Sequence, residues 1–311
     1  MSAPKLLAEA QDLVLAYGSH VAMRPSSFVI PAQGVTAIIG PNGSGKSTLL
    51  NALAGVIEPR SGRLRVLGRP PREAYRDIAY VMQSIAFPEG TPITVREAVA
   101  MGRYASRGWF GRLTRADRER VQWAMELLDV ADLAKRHLGE LSGGQRQRVY
   151  VAQGLAQDHQ ALLLDEPLTG LDLVSARTID RIIHGERERG HAVVLTTHDL
   201  EEARAADHVI LMSGRVVASG PPVQVCQRRN LEAAYGLGAL HGAGGGDDIL
   251  GDAHRAGPPH DALDPANPDS PTAAGDLRLE VNGGEGEDRV MIIGGKGGIA
   301  VGGAGRDFLF N

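Results

Sequence analysis

The sequence predicts an α/β fold in which strands end on polar residues. Several short apolar runs of strand-like composition are followed at once by polar or charged residues. A glycine-rich loop separates one of these runs from a helix-like segment, and from residue 94 onward the apolar residues recur at helical spacing. Because open α/β sheets bind ligands outside the carboxyl ends of their strands, we expect the functional residues at those ends.

The glycine-rich loop is a highly specific motif in the first half of the chain. It fits G-x-x-x-x-G-K-[ST] at every fixed position, after the apolar run Val35–Ile39 and before the helix-like run Thr48–Ala54. Backbone N–H groups of such a loop converge on one point with the positive end of the helix, which suits a triphosphate. Lys46 would reach the β- and γ-phosphates and Ser47 would ligate Mg²⁺, whereas the alternative is a glycine turn with a solvated lysine. The predicted binding residues are Gly40, Pro41, Asn42, Gly43, Ser44, Gly45, Lys46, Ser47 and Thr48.

Composition and charge limit the possible partners. The chain has 311 residues, 43% of them hydrophobic, which is enough for one large domain or two ordinary ones. A formal net charge of −4 gives no sign of a surface for nucleic acid or anionic membrane. The single cysteine, Cys226, excludes an internal disulfide and suits a reducing cytoplasm. No apolar run approaches the roughly 18 residues that would span a bilayer, so we expect any work at a membrane to go through a partner.

Residues 5–39 contain short apolar runs broken by Gly and Pro, which predicts several short strands. Tyr17 lies in the first turn region, where ordinary packing is one interpretation and stacking on a nucleotide base is the other. The run Ile78–Met82 predicts a buried strand that ends on Gln83. The amide of Gln83 would then lie at the ligand-binding edge of the sheet.

Two helices are predicted after residue 94. Thr94 and Glu97 have capping-box spacing ahead of Ala98–Met101, and a second helix is expected to start near Thr114. One face of the second helix is predicted to be buried, through Val121, Ala124, Met125 and Leu128. The segment Arg103–Phe110 between the helices is predicted to be exposed, as a partner-contacting loop or a plain surface loop.

The segment Leu141–Gln145, with the sequence LSGGQ, precedes another helical run at residues 146–157. Ser142 and Gln145 have the spacing of a capping box, which is one explanation of the pattern. Capping does not require Gly143 and Gly144, each of which costs on the order of 1 kcal/mol relative to alanine in a helix. Because glycines let a ligand approach the N–H groups of a helix amino terminus, we predict a second phosphate-binding element at Ser142–Gln145.

Charged and polar residues also follow the last apolar strands. The run Ala161–Leu164 predicts a central parallel strand and ends in Asp165 and Glu166. Adjacent carboxylates at such a position are costly unless they have a function, so Asp165 is predicted to hold Mg²⁺ and Glu166 to polarise an attacking water as general base. Asp172 follows and is included in the nucleotide site. The run Ala192–Thr197 ends on His198, a further catalytic candidate at the same edge.

Together these motifs resemble the ATP-binding subunit of an ABC transporter over about residues 8–236, and the LSGGQ sequence is their most specific match. The resemblance implies a RecA-like P-loop NTPase core, an inserted helical subdomain near residues 92–155 and a small antiparallel β layer. It implies ATP and Mg²⁺ as cofactors. Residues matching Tyr17 stack on adenine, those matching Gln83 sense Mg²⁺ and couple to the membrane subunit, and those matching His198 contact the γ-phosphate. The counterparts of Ser142 and Gly144 bind ATP held by a second copy, so two ATP molecules would lie between two chains.

A finer resemblance concerns the transported substrate. The similarity is to the branch that takes up zinc or manganese, with the iron-chelate branch as alternative, and it involves Met101–Tyr104, Gly108–Gly111, Gly139–Ser142, Gly220–Val225 and Asn230–Gly236. Gln153 departs from the pattern, since relatives usually carry arginine there. The resemblance implies a membrane permease, a solute-binding protein, a cytoplasmic position at the inner face of the cell membrane, and no nucleic-acid partner. An exporter ATPase and a non-transport regulatory ATPase remain as alternatives.

The last quarter of the chain differs in composition, so the predicted domains are residues 1–237 and a largely irregular Gly/Asp-rich tail at 238–311. Residues 251–275 are predicted to form a disordered linker. Residues 283–290 and 302–309 match the calcium β-roll repeat G-G-x-G-x-D-x-U, but their irregular spacing favours a partly ordered appendage over calcium binding. His241, His254 and His260 could bind zinc only weakly, because they lack tight ligand spacing.

Overall fold

The computed structural model describes residues 6–83, 92–104, 112–236, 300–301 and 308–309, and the chain divides into two units, Met1–Leu240 and His241–Asn311. In chain order, the strands of the first unit are β1 (Leu6–Tyr17), β2 (His20–Pro31), β3 (Gly34–Ile39), β4 (Ser61–Val66), β5 (Ile78–Val81), β6 (Ala161–Leu164), β7 (Ala192–Thr197), β8 (His208–Met212) and β9 (Val216–Gly220).

The main sheet has six strands in the order β5-β6-β7-β3-β8-β9. Every neighbouring pair is parallel except the edge pair β8 and β9. All residues of β6 and β7 are buried, as expected of parallel strands that are covered on both faces. The α/β prediction is therefore confirmed, and β3, β6 and β7 have the bounds that their apolar runs indicated, to within one residue.

A second, antiparallel sheet has the order β2-β1-β4 and corresponds to the predicted β layer. Its first two strands are longer than the short strands predicted for residues 5–39, since each has 12 residues. Register shifts, one of them between Ala10 and Leu13, let the pair continue past the residues that resembled turns. Asp12 lies inside that irregularity with a φ of 47°, so the polar break in the sequence is a bulge within a continuous strand.

The helices of the described part are α1 (Lys46–Leu53), α2 (Pro71–Ala74), α3 (Val95–Ala100), α4 (Arg115–Leu127), α5 (Gly143–Ala156), α6 (Leu173–Glu188), α7 (Leu200–Ala205), α8 (Pro222–Val225) and α9 (Arg228–Tyr235). The capping box predicted at Thr94 is present, and the helix expected near Thr114 begins with another. The four apolar residues of its predicted face are buried. Helices α3, α4 and α5 pack together as the inserted helical subdomain.

The core lies on both faces of the main sheet. Alternate residues of β7 point to opposite faces, so Val193 and Leu195 pack with the helical subdomain and α6. Val194 packs on the other face with α1 and the antiparallel sheet. The phosphate-loop helix α1 and the LSGGQ helix α5 therefore cover opposite faces of the same sheet.

The prediction of an exposed segment was wrong at Arg103. The segment Arg103–Phe110 was expected to be exposed, but the Arg103 side chain is buried and forms ion pairs with Asp117 and Asp158, both at 2.9 Å. Paired carboxylates make burial of a guanidinium tolerable. Residues 105–111 lie outside the described residues.

The predictions for the tail mostly concern residues outside the described ones, including the linker at 251–275, the repeat at 283–290, and His241, His254 and His260. Two short strands of the second unit, β10 (Ala300–Val301) and β11 (Phe308–Leu309), pair in antiparallel orientation. Within the part of the chain that the structure describes, no helix is both long and apolar enough to cross a membrane.

Candidate functional site

Four adjacent strands bring the predicted residues to one edge of the main sheet. Strands β5, β6, β7 and β3 are neighbours and parallel, so their carboxyl ends lie side by side. Gln83, Asp165, His198 and Gly40 follow these four strands within two residues. The sheet order thus collects groups that are up to 158 positions apart in the sequence, from Gly40 to His198.

The conformation of the phosphate loop requires its glycines. Gly40 and Gly45 have φ values of 151° and 97°, which are rare for residues with a side chain. A Cβ atom on Gly40 would lie 2.2 Å from the Met212 carbonyl oxygen, and one on Gly45 would lie 2.8 Å from the Ala22 carbonyl oxygen. The loop is therefore held tightly against the antiparallel sheet and β8, with no space for side chains at these positions.

Lys46 lies in the cradle of this loop. Its buried ammonium donates hydrogen bonds to the carbonyl oxygens of Gly40, at 2.9 Å, and Pro41, at 3.3 Å. Burial lowers the pKa of Lys46, and the negative charges of Glu166 and Asp165 act in the opposite direction. The ammonium is thus close to both carboxylates and is held by neutral carbonyl acceptors that a negatively charged phosphate could replace.

Helix α1 begins in a way that suits an anion. Its N-cap is Gly45, and among the described residues no side chain caps it and no acidic residue occupies its first turn. The buried Ser44 hydroxyl likewise has no hydrogen-bond partner in the described part of the chain. First-turn N–H groups and a buried hydroxyl without partners are donors that phosphate oxygens would satisfy, so the loop fits a nucleoside triphosphate.

Thr196, near the end of β7, connects the two carboxylate residues. Its Oγ1 donates a hydrogen bond of 2.6 Å to Asp165 Oδ1 and accepts one of 2.8 Å from the Glu166 backbone N–H. The side chain is completely buried. The sequence motifs do not include this residue, although a pair of threonines ends the otherwise apolar strand and is a usable signal.

Glu166 is held in an uncommon conformation. Its φ is 46°, in the left-handed region that few residues other than glycine adopt, and such strain clusters at functional sites. Its Oε2 accepts a 2.7 Å hydrogen bond from Gln83 Nε2. Gln83 therefore lies directly beside the predicted general base.

The donor set at this edge fits Mg²⁺. Asp165 offers a carboxylate whose Oδ1 is fixed by Thr196, Ser47 offers an exposed hydroxyl in the first turn of α1, and Gln83 offers an amide oxygen. Mg²⁺ prefers oxygen ligands and commonly uses one carboxylate together with substrate phosphates and water.

Tyr17 and His198, which were also predicted to contact the nucleotide, are exposed beside the phosphate loop. The Tyr17 ring is 46% exposed at the end of β1, and its hydroxyl accepts a 3.0 Å hydrogen bond from Asn51 of α1. This leaves a ring face near the phosphate-loop helix available for stacking. His198 is exposed immediately after β7.

The LSGGQ segment forms the capping box that its spacing indicated. Ser142 Oγ accepts from the Gln145 backbone N–H, and Gln145 Oε1 accepts from the Ser142 backbone N–H. The fold requires a glycine at position 144, because a Cβ there would lie 2.4 Å from Asp172 Oδ2. Gly143 is exposed, and apart from its chain neighbours and the backbone of its own helix, no atom of the described residues comes within 4 Å of a Cβ built on it.

Asp172 caps helix α6 in this structure. Its carboxylate accepts hydrogen bonds from the Ser175 backbone N–H, at 2.9 Å, and the Ser175 hydroxyl, at 2.8 Å. These hydrogen bonds lower the pKa of Asp172. Its contacts are thus with the LSGGQ helix and α6, and a role in binding nucleotide stays a prediction.

Comparison with known proteins gives matches over the first unit. A family described as ABC transporter matches residues 23–169. The zinc transport system ATP-binding protein TroB of Treponema pallidum is 37% identical over 237 residues, covering 76% of this chain and 89% of its own length. The manganese transport system ATP-binding protein MntB of Listeria monocytogenes is 36% identical over 229 residues, covering 73% of this chain and 95% of its own.

Solved structures give the same picture. A chain of an inward-facing ABC transporter described as being of the metal-chelate type is 28% identical, with a TM-score of 0.64 over 74% of this chain and 88% of its own. A dimeric ATP-binding cassette in a post-hydrolysis state, bound to ADP and Pi, is 25% identical, with a TM-score of 0.62 over 69% of this chain and 98% of its own.

Proposed function

This chain belongs to the ABC transporter family as an ATP-binding subunit that hydrolyses ATP, and on that premise we propose that it dimerises on ATP and powers a separate membrane permease importing metal ions. The observation that carries the proposal is the group of Lys46, Gln83, Asp165 and Glu166 at one edge of the sheet. Lys46 and the first turn of α1 would bind the β- and γ-phosphates, and Tyr17 would stack on adenine.

The chain's own residues supply the steps of hydrolysis. Glu166 would accept a proton from the attacking water as general base, because Gln83 orients its carboxylate at the same edge of the sheet as the phosphate loop. His198, at the end of the next strand, would contact the γ-phosphate. Ser47, Gln83 and Asp165 would hold Mg²⁺, which neutralises charge that develops on the phosphates. Hydrolysis of this kind depends mainly on positioning and charge.

Two copies of the chain would complete each other's sites. The phosphate loop and the LSGGQ segment cover opposite faces of one sheet, so Ser142–Gln145 would meet the γ-phosphate of ATP held by a second copy. The exposed Ser142 and Gly143 leave space for that approach. A dimeric relative bound to ADP and Pi supports dimerisation.

The helical subdomain offers a surface for the permease. A groove between α3 and the start of α4 is lined mainly by apolar side chains, including Ile93, Ala100, Met101, Leu113 and Val121. We propose that the permease docks in this groove, and that the subunit is thereby held at the inner face of the cell membrane. The first domain would be residues 1–237, with residues 238–311 as an appended tail.

Zinc or manganese is the proposed cargo, with an iron chelate as the alternative. The relatives named for zinc and manganese transport support this choice, as does the solved transporter of metal-chelate type. Metal specificity would reside in the permease and a solute-binding protein.

The test is to replace the natural chain in its host by the Glu166→Gln variant and to measure the cellular content of zinc, manganese and iron. We expect uptake of one of these metals to fall to the level of cells without the chain, because loss of a general base lowers hydrolysis by about 10²–10⁴-fold. The purified variant should still bind ATP and should accumulate as an ATP-bound dimer. The matched control is Glu188→Gln, which removes an exposed carboxylate of α6.

Two outcomes would contradict parts of the proposal. Normal ATP turnover by Glu166→Gln would remove the general base from the mechanism. Loss of turnover with unchanged levels of all three metals would leave the ATPase in place and overturn metal import.

A further inference from the structure

A second group of chemically reactive side chains lies at the opposite edge of the main sheet. His159 precedes β6 by two residues, His191 directly precedes β7, and Glu186 is in the last turn of α6. The amino ends of these strands are separated from the ATP-binding edge by the length of a strand, roughly 20 Å for six residues at about 3.3 Å each. None of the roles assigned above involves these three residues.

Their ligand atoms converge on one point. Glu186 Oε2 lies 3.0 Å from His159 Nε2 and 2.6 Å from His191 Nδ1, and one ligand atom from each residue lies within 4.8 Å of the others. The side chains of His159 and Glu186 are each 1% exposed, whereas that of His191 is 32% exposed. The group is thus buried on two sides and reachable from solvent on the third.

The contact of His159 with the Gln157 carbonyl indicates which of its ring nitrogens carries a hydrogen. Its Nδ1 lies 2.9 Å from the Gln157 carbonyl oxygen, which can only accept, so Nδ1 carries a hydrogen. In the neutral ring, Nε2 would then direct a lone pair at the Glu186 carboxylate. That contact is unfavourable unless a proton or a metal ion lies between the two atoms.

The surrounding residues orient the ligands as outer-shell partners do in metal sites. The Gln157 carbonyl fixes the His159 ring, and the Arg189 guanidinium donates a 2.5 Å hydrogen bond to Glu186 Oε1. Arg189 therefore occupies one carboxylate oxygen and leaves Oε2 for the two histidines. It also lies over the Trp123 ring of α4, 5.3 Å from the ring centroid.

We propose that His159 Nε2, Glu186 Oε2 and His191 Nδ1 bind a divalent transition-metal ion of the Zn²⁺ type. Two imidazoles and one carboxylate, with a fourth position open to solvent beside His191, form a three-ligand set that zinc uses in proteins. The ion would fasten the end of α6 to the segments that precede β6 and β7. The site is independent of the transported substrate and of ATP hydrolysis.

The test is a Zn²⁺ titration of the metal-free, full-length chain by calorimetry. We expect His191→Ala to lose one bound Zn²⁺ per chain, or to bind it at least about tenfold more weakly, relative to the natural sequence. The matched control is His184→Ala, since His184 is an exposed histidine of α6 that pairs with Asp180 outside the cluster. This control should bind as the natural sequence does, and any zinc bound by the tail should be the same in both variants.

Co²⁺ gives a spectroscopic readout of the same site. Co²⁺ bound by the natural sequence should show the visible absorption bands of a tetrahedral site, and these bands should be absent in His191→Ala and present in His184→Ala. Identical Zn²⁺ stoichiometry and affinity in the two variants would overturn the proposal and leave a proton-linked His–Glu–His cluster. Absence of tetrahedral bands in the natural sequence would overturn it as well.

Discussion

At the scale of single residues, the hydroxyl of Thr196 organises the two carboxylate residues. It donates to Asp165 and accepts from the Glu166 N–H, so the predicted Mg²⁺ ligand and the predicted general base share one support. The support is buried, which makes these hydrogen bonds costly to lose. Thr196 is therefore a positioning residue for both groups.

Thr196→Val tests this role, because valine keeps the shape of the side chain and removes the hydroxyl. We expect ATP hydrolysis to fall by about 10–100-fold, as for other outer-shell changes, and the Mg²⁺ concentration for half-maximal activity to rise. Stability should fall by about 1–3 kcal/mol, since a buried carboxylate oxygen and an N–H lose their partner. Steady-state kinetics at varied Mg²⁺ measure the first two effects.

Thr178→Val is the matched control for Thr196→Val. Thr178 is also buried, and its hydroxyl donates to the Val174 carbonyl oxygen within α6, away from Asp165 and Glu166. A purely structural role for Thr196 would make both variants lose stability without any change in Mg²⁺ dependence.

The sequence could predict the residues at strand ends but not the one that positions them. Gln83, Asp165 and His198 were identifiable because each comes directly after an apolar run. Thr196 belongs to such a run itself, and a β-branched residue is unremarkable in a strand. Its hydrogen bonds join positions about thirty residues apart, which only the sheet order brings together.

At the scale of elements, Arg103 ties the helical subdomain to the end of α5. Its Nε donates to Asp117 of α4, one terminal nitrogen donates to the Ala156 carbonyl oxygen, and the other donates to Asp158. Asp117 is also the capping-box residue of α4. One guanidinium thus bonds a carboxylate in the first turn of α4 and a carbonyl oxygen at the end of α5. Local sequence patterns do not reveal contacts between elements so far apart in the chain.

Replacing Arg103 by methionine should destabilise the protein by about 3–5 kcal/mol, because the buried carboxylate of Asp117 would lose its ion pair with Arg103. Chemical unfolding of the nucleotide-free chain measures this change. The control is Arg72→Met, which breaks an exposed pair with Glu58 and should cost about 1 kcal/mol or less. Similar losses in the two variants would contradict a structural role for the buried pair.

Local patterns predicted helix starts better than strand lengths. Capping boxes are set by residues three apart, so those at Thr94 and Ser142 were visible in the sequence. The lengths of β1 and β2 depend on a bulge that Asp12 accommodates and on pairing across the whole strand. Pairing of that kind overrides the local turn signals.

At the scale of the whole molecule, the two glycines of LSGGQ have different roles. One is required for folding of the chain, and the other is suited to assembly of two chains. Gly144 packs so tightly on Asp172 and Ser175 that a side chain would clash within its own chain. Gly143 faces open space, and apart from its chain neighbours and the backbone of its own helix, no atom of the described residues comes within 4 Å of a Cβ there. Since folding of one chain does not require a glycine at 143, its absence of a side chain fits the approach of a second chain that carries ATP.

Gly143→Ala is therefore expected to impair ATP hydrolysis and dimerisation without lowering the stability of the chain. The nucleotide-free chain should be at least as stable as the natural one, because alanine is favoured over glycine in helices by up to about 1 kcal/mol. ATP hydrolysis should fall on the order of tenfold or more, since the added methyl group would displace the facing γ-phosphate. In the Glu166→Gln background, sedimentation with ATP should show a weaker dimer.

Gly185→Ala is the matched control. Gly185 lies inside α6, and apart from its chain neighbours and the backbone of α6, no described atom comes within 4 Å of a Cβ built on it. It should raise stability in the same way and leave hydrolysis and dimerisation unchanged. If Gly143→Ala also keeps full activity, Gly143 does not face a second chain, and the LSGGQ segment is only a helix start. If Gly143→Ala alone loses both activity and the ATP-bound dimer, each phosphate loop depends on a segment of the other copy.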